Sequence, residues 1–403
     1  MSAKRKTTVA VIFGGRSVEH DVSIVTGHQI IQAFDAARYE VVPVYISRDG
    51  KWYTGEPLLD LKNFSDGEII SYKGVVGTLL SPSVQHHGLI INPLAGRLQK
   101  SEIKRLDVIF PAVHGSHGED GTLQGLFELA DIPYVGCGVL GSAVANDKAL
   151  TKAVLKQHGV RVVESALLHR EHWLDDREGV LARLAADDSL TYPLFVKPAT
   201  LGSSIGVARV MDPVGLTGAL DIAMSFDRRV LVEAAVVGAT EINCAVLGYG
   251  QSVQASVLEQ PVSWEEFLTY EEKYMRGDGG MKSAERIIPA PLDDALTAHI
   301  QGMAVDAFKA IDGRGTARMD FLLAEDGETV YLNEINTMPG SLAFYLWDES
   351  GMDSGAVVDQ LVKLAQDAYA DKRANTYDYQ TGLVSLTAQR GLKGVKGSKS
   401  VRV

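Results

Sequence analysis

RMDFLL at residues 318–323 and YLNEINTMPG at residues 331–340 are the two stretches that decide the fold. Between them, the sequence AEDGE at residues 324–328 is rich in residues that favour turns. Two strand-like runs joined by such a stretch predict an antiparallel hairpin. The polar residues of this hairpin are the starting point for predicting function.

Three polar residues of the hairpin, Asp320, Glu334 and Asn336, carry oxygen atoms that suit a hard cation. Glu334 and Asn336 are two positions apart, so they leave the same face of a strand. A loop at residues 325–327 makes Asp320 a diagonal neighbour of Glu334, roughly 7–8 Å away between backbones. Two carboxylates and an amide on one face suit Mg²⁺. The alternative is a solvated outer face, but apolar neighbours such as Phe321 disfavour it, because buried carboxylates need a counter-charge.

Arg318 shares this face with Asp320. Its planar fork of N–H donors can hold a carboxylate or a developing oxyanion beside the metal. The hairpin therefore predicts both a metal site and an anion-stabilising group.

Composition and charge exclude several classes of protein. A chain of 403 residues should divide into two or three domains. The composition, with 46% hydrophobic and 22% charged residues, is that of an ordinary globular protein. A net charge of -12 disfavours general binding of nucleic acid or anionic membranes. No apolar run is long enough to span a bilayer. Cys137 and Cys244 do not make a disulfide framework, so we expect a reducing compartment.

The first 143 residues have the pattern of an α/β domain. A short apolar strand at 9–13 ends in two glycines and is followed by a helical pattern. The motif matches neither the dinucleotide fingerprint nor a P-loop. Glu19 lies where the helix starts, and by itself this position predicts stabilisation of the helix N-terminus. Residues 50–98 are irregular and are predicted to be an insertion with short hairpins.

The loop at residues 111–125 follows another buried-type strand and contains four glycines, two histidines and two acids. Ligands of open α/β sheets bind at such carboxyl-end loops. We therefore expect His114 to be functional rather than a structural histidine. For His117 both roles remain open, and Asp120 is expected to cap a helix.

The second half of the chain carries further candidate loops. Lys197 ends a strand and precedes the loop of small residues at 199–207. The lysine indicates that this loop binds an anion such as a polyphosphate, rather than being a plain hairpin turn. Residues 259–290 show no regular spacing of apolar residues, which is typical of lids and binding loops. Helices are predicted at 292–311 and at about 355–370, and the tail at 375–403 is predicted to be disordered.

Several ordered motifs together resemble the D-alanine–D-alanine ligases of the ATP-grasp superfamily. The resemblance covers about residues 9–369 and is carried by the following segments: 114–125, 197–206, 270–274, 318–321 and 333–340. It implies an α/β (α+β) ATP-grasp fold of three domains, with ATP between two sheet domains. The domains expected are an N-terminal substrate domain at 1–143, a central ATP-grasp subdomain at 144–228 and a C-terminal ATP-grasp domain at 229–374.

The resemblance also implies roles for individual residues. Residues expected to contact ATP are Lys148, Lys197, Ser203, Ser204, Glu233, Val236, Glu241 and Lys273. Residues expected to be catalytic are Glu19, Ser203, Tyr274, Arg318 and Gly340. Residues expected to bind amino-acid substrate are Glu19, His114, Arg318, Gly340, Ser341 and Tyr345. The implied metal ligands are Asp320, Glu334 and Asn336.

Some of these roles can be stated more closely. Lys148 and Lys197 are expected at the ATP phosphates, Glu233 at the adenine amino group and Glu241 at the ribose. The resemblance implies that Glu19 binds the ammonium group of the first amino acid. This role replaces the stabilisation of the helix N-terminus that its position alone predicts. Lys273 and Tyr274 are expected in a mobile ω-loop that closes over the site.

The activity implied by the resemblance is ATP-dependent ligation of two D-alanines through an acyl phosphate. This reaction supplies peptidoglycan precursors for cell-wall biogenesis and cell shape. The implied partners are D-alanine, ATP and two Mg²⁺ ions, for which Mn²⁺ can substitute. The protein is expected to be cytoplasmic and homodimeric, without a nucleic-acid or membrane partner.

One departure from the family pattern leaves the second substrate open. SLAFYLW at residues 341–347 replaces the usual Thr/Ser-containing segment, and Tyr345 stands near the usual serine. Ser341 or Tyr345 can supply a hydroxyl there, and Tyr274 keeps the tyrosine associated with an amino-acid nucleophile. The alternatives are a ligase with another second amino acid or pathway and a non-catalytic nucleotide-binding protein. The latter is disfavoured because the metal ligands and phosphate-binding lysines are present.

Overall fold

The computed structural model describes residues 5–65, 67–92, 101–262, 286–377, 379 and 381–390. Its strands form a seven-stranded, a four-stranded and a five-stranded sheet within these residues. The same part of the chain contains no helix with the length and apolar character needed to cross a membrane. Lys273, Tyr274 and the core of the predicted lid lie outside the described residues.

The first sheet is built on the apolar run predicted as the first strand. β1 is buried along almost its whole length and pairs in parallel with β2 and β7. The sheet order is β6-β5-β4-β3-β2-β1-β7, so the predicted insertion at 50–98 extends the sheet with antiparallel strands. The strands are β1 Thr7–Gly14, β2 Tyr39–Ile46, β3 Trp52–Thr54, β4 Val76–Leu80, β5 Gly88–Ile91, β6 Glu102–Arg105 and β7 Val108–Pro111. Its helices are α1 His20–Ala33 and α2 Thr122–Ala130, with 3-10 turns at Glu56–Leu59, Leu61–Phe64 and Ile69–Ser71. The next helix, α3 Val139–Asn146, places Ala145 in the core of the third sheet.

The second sheet has the order β10-β9-β11-β8 and is antiparallel. One face is covered by helices whose buried side chains include Trp173, Val180 and Leu220. This burial explains why the acidic segment at 173–187 is helical despite its charge: its apolar stripe packs on the sheet. The elements are α4 Lys148–Gln157, β8 Ser165–His169, α5 Arg170–Asp175, α6 Arg177–Ala185, β9 Leu194–Pro198, β10 Ala208–Val210, α7 Pro213–Phe226 and β11 Arg229–Ala234.

The third sheet has the order β14-β13-β12-β15-β16 and contains the predicted hairpin. Its core includes Ile300 and Phe308 from the long amphipathic helix α8. The elements are β12 Thr240–Tyr249, β13 Ser252–Pro261, β14 Arg286–Ile287, α8 Asp294–Ala310, β15 Arg314–Leu323 and β16 Val330–Asn336. They are followed by a 3-10 turn at Gly340–Ala343, α9 Phe344–Glu349, α10 Ser354–Arg373 and α11 Leu383–Arg390.

Two predictions about this region need correction. The register places Asp320 directly opposite Glu334 rather than diagonally, for two reasons: the loop spans residues 325–328 instead of 325–327, and a β-bulge after Asp320 leaves Asn333 as the extra residue. The tail was predicted to be disordered, but Leu383–Arg390 is helical. Its sequence, LVSLTAQR, contains good helix formers and no glycine or proline.

The long helix α10 joins the first sheet to the third. One hydrophobic core contains Val11 and Phe110 from the first sheet, Leu247 from the third and Leu361 from α10. The Tyr39 hydroxyl also donates a hydrogen bond of 2.7 Å to Asp359. This shared core brings the carboxyl end of the first sheet towards the hairpin of the third.

Candidate active site

Residues from all three sheets converge near the hairpin. Lys197 of the second sheet places Nζ 3.4 Å from Oδ1 of Asn333, next to Glu334 on the third. The backbone N–H of Met338 donates to Oε1 of Glu119 in the loop after β7 of the first sheet, at 3.0 Å. A place where residues of three sheets meet in this way is one where ligands are expected to bind.

The hairpin residues Arg318, Asp320 and Asn336 form one hydrogen-bonded group. The Arg318 guanidinium donates from Nε and Nη2 to the two carboxylate oxygens of Asp320, each at 2.6 Å. Nδ2 of Asn336 donates to Oδ2 of Asp320 at 2.9 Å. Burial opposes the charge on Arg318, but Asp320 outweighs it and raises the pKa of the guanidinium. Arg318 is therefore a fixed, permanently positive group.

The donor set at this point fits a hard divalent cation. Asp320, Glu334 and Asn336 supply only oxygen ligands, which Mg²⁺ prefers. Within the described residues no three His, Cys, Asp or Glu side chains are grouped as a metal site. A cation held at Asp320 and Glu334 would take the amide oxygen of Asn336 as its third ligand, and Asn336 already contacts Asp320.

Carboxylates gather on the side of the hairpin that faces the first sheet. Burial raises the pKa of Glu119 to about 8, and the charges of Glu19 and then Glu334 add to the effect. Glu119 accepts hydrogen bonds from Gly115 N at 2.7 Å and from Met338 N. Glu119 is therefore mostly protonated at pH 7, and the negative charges of Glu19 and Glu334 create a field that favours a cation, such as an ammonium group or a metal ion.

Glu19 does not have the helix-capping role that its position suggests. It is the residue before α1, yet its side chain makes no capping hydrogen bond. Its carboxylate instead accepts a hydrogen bond from the Ser203 hydroxyl in the loop of the second sheet. Gly115 is needed beside it, since φ is +70° and an added Cβ would lie 2.4 Å from Oε2 of Glu19. Glu19 thus links the first sheet to the small-residue loop.

His114 is buried and connects α1 to the turn after the hairpin. Its backbone N–H donates to Oγ of Ser23 at 2.9 Å, and its Nε2 lies 2.9 Å from Oγ1 of Thr26. Thr26 Oγ1 also accepts from the backbone of Ser341, at 3.4 Å. Burial lowers the pKa of His114 to about 4, although a hydrogen bond to the Met338 backbone partly offsets it. The imidazole is therefore neutral at pH 7.

This pKa predicts a pH dependence of stability. The unfolded chain binds a proton near pH 6.5 and the folded chain only near pH 4, so stability is lost as the pH falls through this interval. Between pH 7 and pH 5 the contribution of His114 should decrease by about 2 kcal/mol. Denaturant unfolding at both pH values should show this loss, and His114→Gln should reduce it by that amount. An equal loss in both proteins would contradict the assignment.

The second sheet holds a buried row of two lysines and one acid. Glu233 on β11 is 2% exposed and Lys152 on α4 is 4% exposed. Oε1 of Glu233 lies 3.1 Å from Lys152 Nζ, and Oε2 lies 2.5 Å from Lys197 Nζ. Burial opposes ionisation of Glu233, but Lys197 and Lys152 together lower its pKa to about 2. One buried ammonium group, of Lys152, and one half-buried ammonium group, of Lys197, thus flank one carboxylate.

Removing Lys152 should destabilise the fold. Lys152→Met leaves Glu233 buried with one partner fewer, which should cost about 3 kcal/mol of unfolding free energy. Lys156→Met is the matched control, because Lys156 lies on the same helix and pairs at the surface with Glu164 at 2.7 Å. That control should change stability by less than about 1 kcal/mol. Urea unfolding measures both, and equal effects would show that the buried row is not important for stability.

Lys148 is oriented by the start of its helix. Asp147 caps α4 by accepting from Leu150 N at 3.0 Å and also pairs with Arg229 of β11. The Lys148 side chain donates to the carbonyl of Leu201 at 2.7 Å. Lys148 therefore lies against the loop that follows Lys197.

Two strained turns lie at the convergence point. Ser203 and Ser204 have φ values of +54° and +57°. Ser341, Leu342 and Ala343 have φ values of +52°, +50° and +51° in the turn that follows Gly340. Left-handed conformations of non-glycine residues are costly and concentrate at functional sites.

The remaining predicted residues differ in their burial and in their hydrogen bonds. Val236 is half-buried and Glu241 is exposed, both near the end of β11 where β12 begins. His117 is exposed with φ +68°, and its N–H donates to Asp120 at 2.8 Å, so it has a turn-forming role. Tyr345 donates its hydroxyl to Glu259 at 2.6 Å.

Sequence reasoning missed three residues of this region: Glu119, Lys152 and Glu259. A signal was present for Lys152, which lies four positions after Lys148 and therefore on the same side of the helix. Glu259 is the only charged residue of strand β13, which is another recognisable sign.

Comparison with known proteins extends over nearly the whole chain. The family models described as D-ala D-ala ligase N-terminus and D-ala D-ala ligase C-terminus match residues 8–137 and 154–363. The D-alanine--D-alanine ligase of Thermosipho africanus is 38% identical over 384 residues, 95% of this chain and 99% of that protein. The D-alanine--D-alanine ligase of Ruminiclostridium cellulolyticum is 40% identical over 387 residues, covering 94% and 100%.

Solved structures have the same architecture. The VanG D-Ala:D-Ser ligase from Enterococcus faecalis superposes with a TM-score of 0.77 at 30% identity, covering 90% of this chain and 100% of that one. The D-alanine-D-alanine ligase from Coxiella burnetii gives a TM-score of 0.76 at 31% identity, covering 95% and 100%. The predicted ATP-grasp fold is confirmed by these neighbours. The chain is a member of the D-alanine–D-alanine ligase family.

Proposed function

We propose that this protein joins two molecules of D-alanine in an ATP-dependent reaction that supplies D-alanyl-D-alanine for peptidoglycan synthesis. The observation that carries the proposal is the convergence of three groups. These are the Arg318–Asp320–Asn336 cluster, the lysine row ending in Lys197, and the Glu19–Ser203 contact. Family membership supports use of ATP, D-alanine and metal ions.

The nucleotide is proposed to lie between the second and third sheets. Lys148 and Lys197 are the cations assigned to its phosphates, with Ser203 and Ser204 in the loop that covers them. The distance of 3.4 Å from Lys197 Nζ to Oδ1 of Asn333 supports this position of the nucleotide, because the two sheets meet beside Glu334, which is assigned to the metal. The adenine is assigned to Glu233 and Val236 and the ribose to Glu241, with Lys273 also assigned to ATP.

The first amino acid is proposed to lie beside α1. Its ammonium group is assigned to Glu19, where the acids around Glu119 favour a cation. His114 is neutral and buried, so it can hydrogen-bond this substrate or its surroundings without adding charge. The Ser203 hydroxyl, which donates to Glu19, fixes the carboxylate that receives the ammonium.

The proposed reaction has two steps. An oxygen of the first D-alanine carboxylate attacks the terminal phosphorus of ATP, and the bond to the bridging oxygen of ADP breaks. The amine of the second D-alanine, after losing a proton, then attacks the carbonyl carbon, and inorganic phosphate leaves. Arg318 and the Gly340 backbone N–H are assigned to the oxyanion of the tetrahedral centre.

Asp320, Glu334 and Asn336 are proposed to hold the Mg²⁺ ions, for which Mn²⁺ can substitute. The metal would supply charge neutralisation at the transferring phosphoryl group. Arg318, fixed by Asp320, adds a positive charge that does not need to reorganise during the reaction.

A second candidate is a ligase with D-serine as the second amino acid. It is favoured by the similarity to the VanG D-Ala:D-Ser ligase and by Tyr345 in place of the usual serine. Ser341 is assigned to the same substrate-binding region. In both candidate functions we assign a catalytic role to Tyr274.

The test is product analysis with the purified protein, ATP, Mg²⁺ and D-alanine, with and without D-serine. The expected products are ADP, phosphate and D-alanyl-D-alanine in equal amounts. D-alanyl-D-serine as the major product would support the second candidate. ADP formation without any dipeptide would contradict both.

We also propose the domain limits, cellular location and assembly from the family. The domains are an N-terminal substrate domain at 1–143, a central subdomain at 144–228 and a C-terminal domain at 229–374. The reaction is placed in the cytoplasm. A homodimer is expected, and sedimentation analysis would measure it.

A further inference from the structure

A second polar cluster lies beside Arg318 and is centred on Glu259, which is 2% exposed. Oε2 of Glu259 accepts from the Tyr345 hydroxyl at 2.6 Å and from Nδ2 of Asn243 at 3.5 Å. Oε1 lies 3.3 Å from Nε of Arg286. In the sheet, Asn243 of β12 pairs with Glu259 of β13 on one side and with Asp320 of β15, the partner of Arg318, on the other. The charge of Glu259 also contributes to the raised pKa of Arg318. The cluster is therefore an immediate electrostatic neighbour of the proposed reaction centre.

Arg286 is the outer member of this cluster. Its guanidinium carbon lies 4.1 Å from the centre of the Tyr345 ring, a distance typical of a cation–π contact. Arg286 is an exposed residue, whereas Glu259 and Tyr345 are buried or half-buried. A buried anion and an aromatic ring thus hold one cation at the surface of the site.

The second amino acid brings a specific electrostatic requirement to this place. Its amine attacks a carbonyl carbon beside Arg318, and its α-carboxylate stays ionised throughout the reaction. Such an anion needs a cationic partner if it leaves water. The Tyr345 hydroxyl already donates to Glu259, so an incoming carboxylate would compete with an existing buried bond. Arg318 is held at both ends of its fork by Asp320.

We propose that Arg286 binds the α-carboxylate of the second amino acid, and that Glu259 and Tyr345 position it. The inference rests on the proposed function and names the group by which that site recognises its acceptor. Arg286 makes the enzyme require an acceptor with a free α-carboxylate. Tyr345 helps to position Arg286 through the contact of its ring and through its hydrogen bond to Glu259. It does not donate a hydrogen bond to the substrate, as a serine at this position would.

The test is competition between two acceptors in one reaction mixture. D-alanine and D-alaninamide are supplied together with ATP and Mg²⁺, and the two dipeptide products are measured by mass spectrometry. D-alaninamide has no carboxylate, so it can act only as the acceptor. The product ratio therefore reports on the acceptor site and is independent of nucleotide binding and of activation of the first D-alanine.

We expect the wild type to favour D-alanine strongly and Arg286→Met to reduce this preference by about 10-fold to 100-fold, as for loss of a charged hydrogen bond. Arg286→Lys should recover part of the preference. Glu259→Gln should reduce the preference less, and should add little to Arg286→Met. Arg177→Met is the matched control, because Arg177 lies over Trp173 at 4.9 Å and pairs with Asp221 at 2.7 Å away from the site.

The outcomes separate this inference from the proposed function. An unchanged ratio in Arg286→Met, with both products still formed, would overturn the inference alone. The same loss of preference in Arg177→Met would also overturn it. Absence of both dipeptides with the wild type would overturn the proposed function, and the inference with it. Melting temperatures of all variants identify those that fail to fold, and Arg286→Lys then provides the comparison.

Discussion

Replacing Arg318 by alanine is expected to lower kcat by about 10²-fold or more, as removal of an oxyanion-hole donor does. The guanidinium is fixed by two hydrogen bonds of 2.6 Å to Asp320, so its charge is already oriented when the tetrahedral centre forms. An interaction that acts mainly in the transition state should lower kcat and kcat/KM together and leave the KM for ATP nearly unchanged. Steady-state phosphate release measures all three quantities.

Arg318→Lys is the informative companion variant. Lysine keeps the positive charge but cannot form the two-pronged contact with Asp320. It should therefore recover only part of the lost rate. Near-normal turnover in Arg318→Ala, in a variant whose melting temperature shows that it is folded, would mean that the oxyanion is stabilised elsewhere.

The second large effect is expected for Glu334→Gln. The change keeps the size of the side chain but removes one of the two carboxylates assigned to the metal. We expect kcat to fall by about 10³-fold, equivalent to roughly 4 kcal/mol of transition-state stabilisation. The Mg²⁺ concentration needed for half-maximal rate should rise as well. A titration of the rate with Mg²⁺ at saturating ATP measures both changes.

Glu328→Gln provides a matched control, because Glu328 is an exposed acid in the turn of the same hairpin. It should leave the rate and the Mg²⁺ requirement unchanged. If both variants behave alike, the effect reflects the general charge of the hairpin and the assignment of Glu334 is wrong.

The sequence was informative where local pattern determines structure. The hairpin, the first parallel strand and the helix at 294–310 could be predicted because apolar periodicity and turn residues act over short distances. The exact pairing of Asp320 with Glu334 could not, because a single bulged residue shifts the register. Such a bulge has no reliable signal in the sequence.

Long-range partners were the main limit for the site. The position of Glu19 before a helix suggested capping, but its carboxylate is bonded to Ser203, which is 184 positions away in the chain. Lys152 and Glu233 are similarly separated in sequence and meet only when α4 packs beside β11. The motif resemblance singled out Glu19 and Glu233 as candidates, whereas Lys152 and Glu259 have only weak signals in the sequence and are identified by their contacts.

The most direct test of the account is a crystal structure of the protein with ADP and Mn²⁺, in which anomalous scattering locates the metal. We expect an anomalous peak bounded by the oxygens of Asp320, Glu334 and Asn336, with the nucleotide phosphates between it and Lys197. A peak away from these three side chains, or ADP bound outside the region between the second and third sheets, would contradict it.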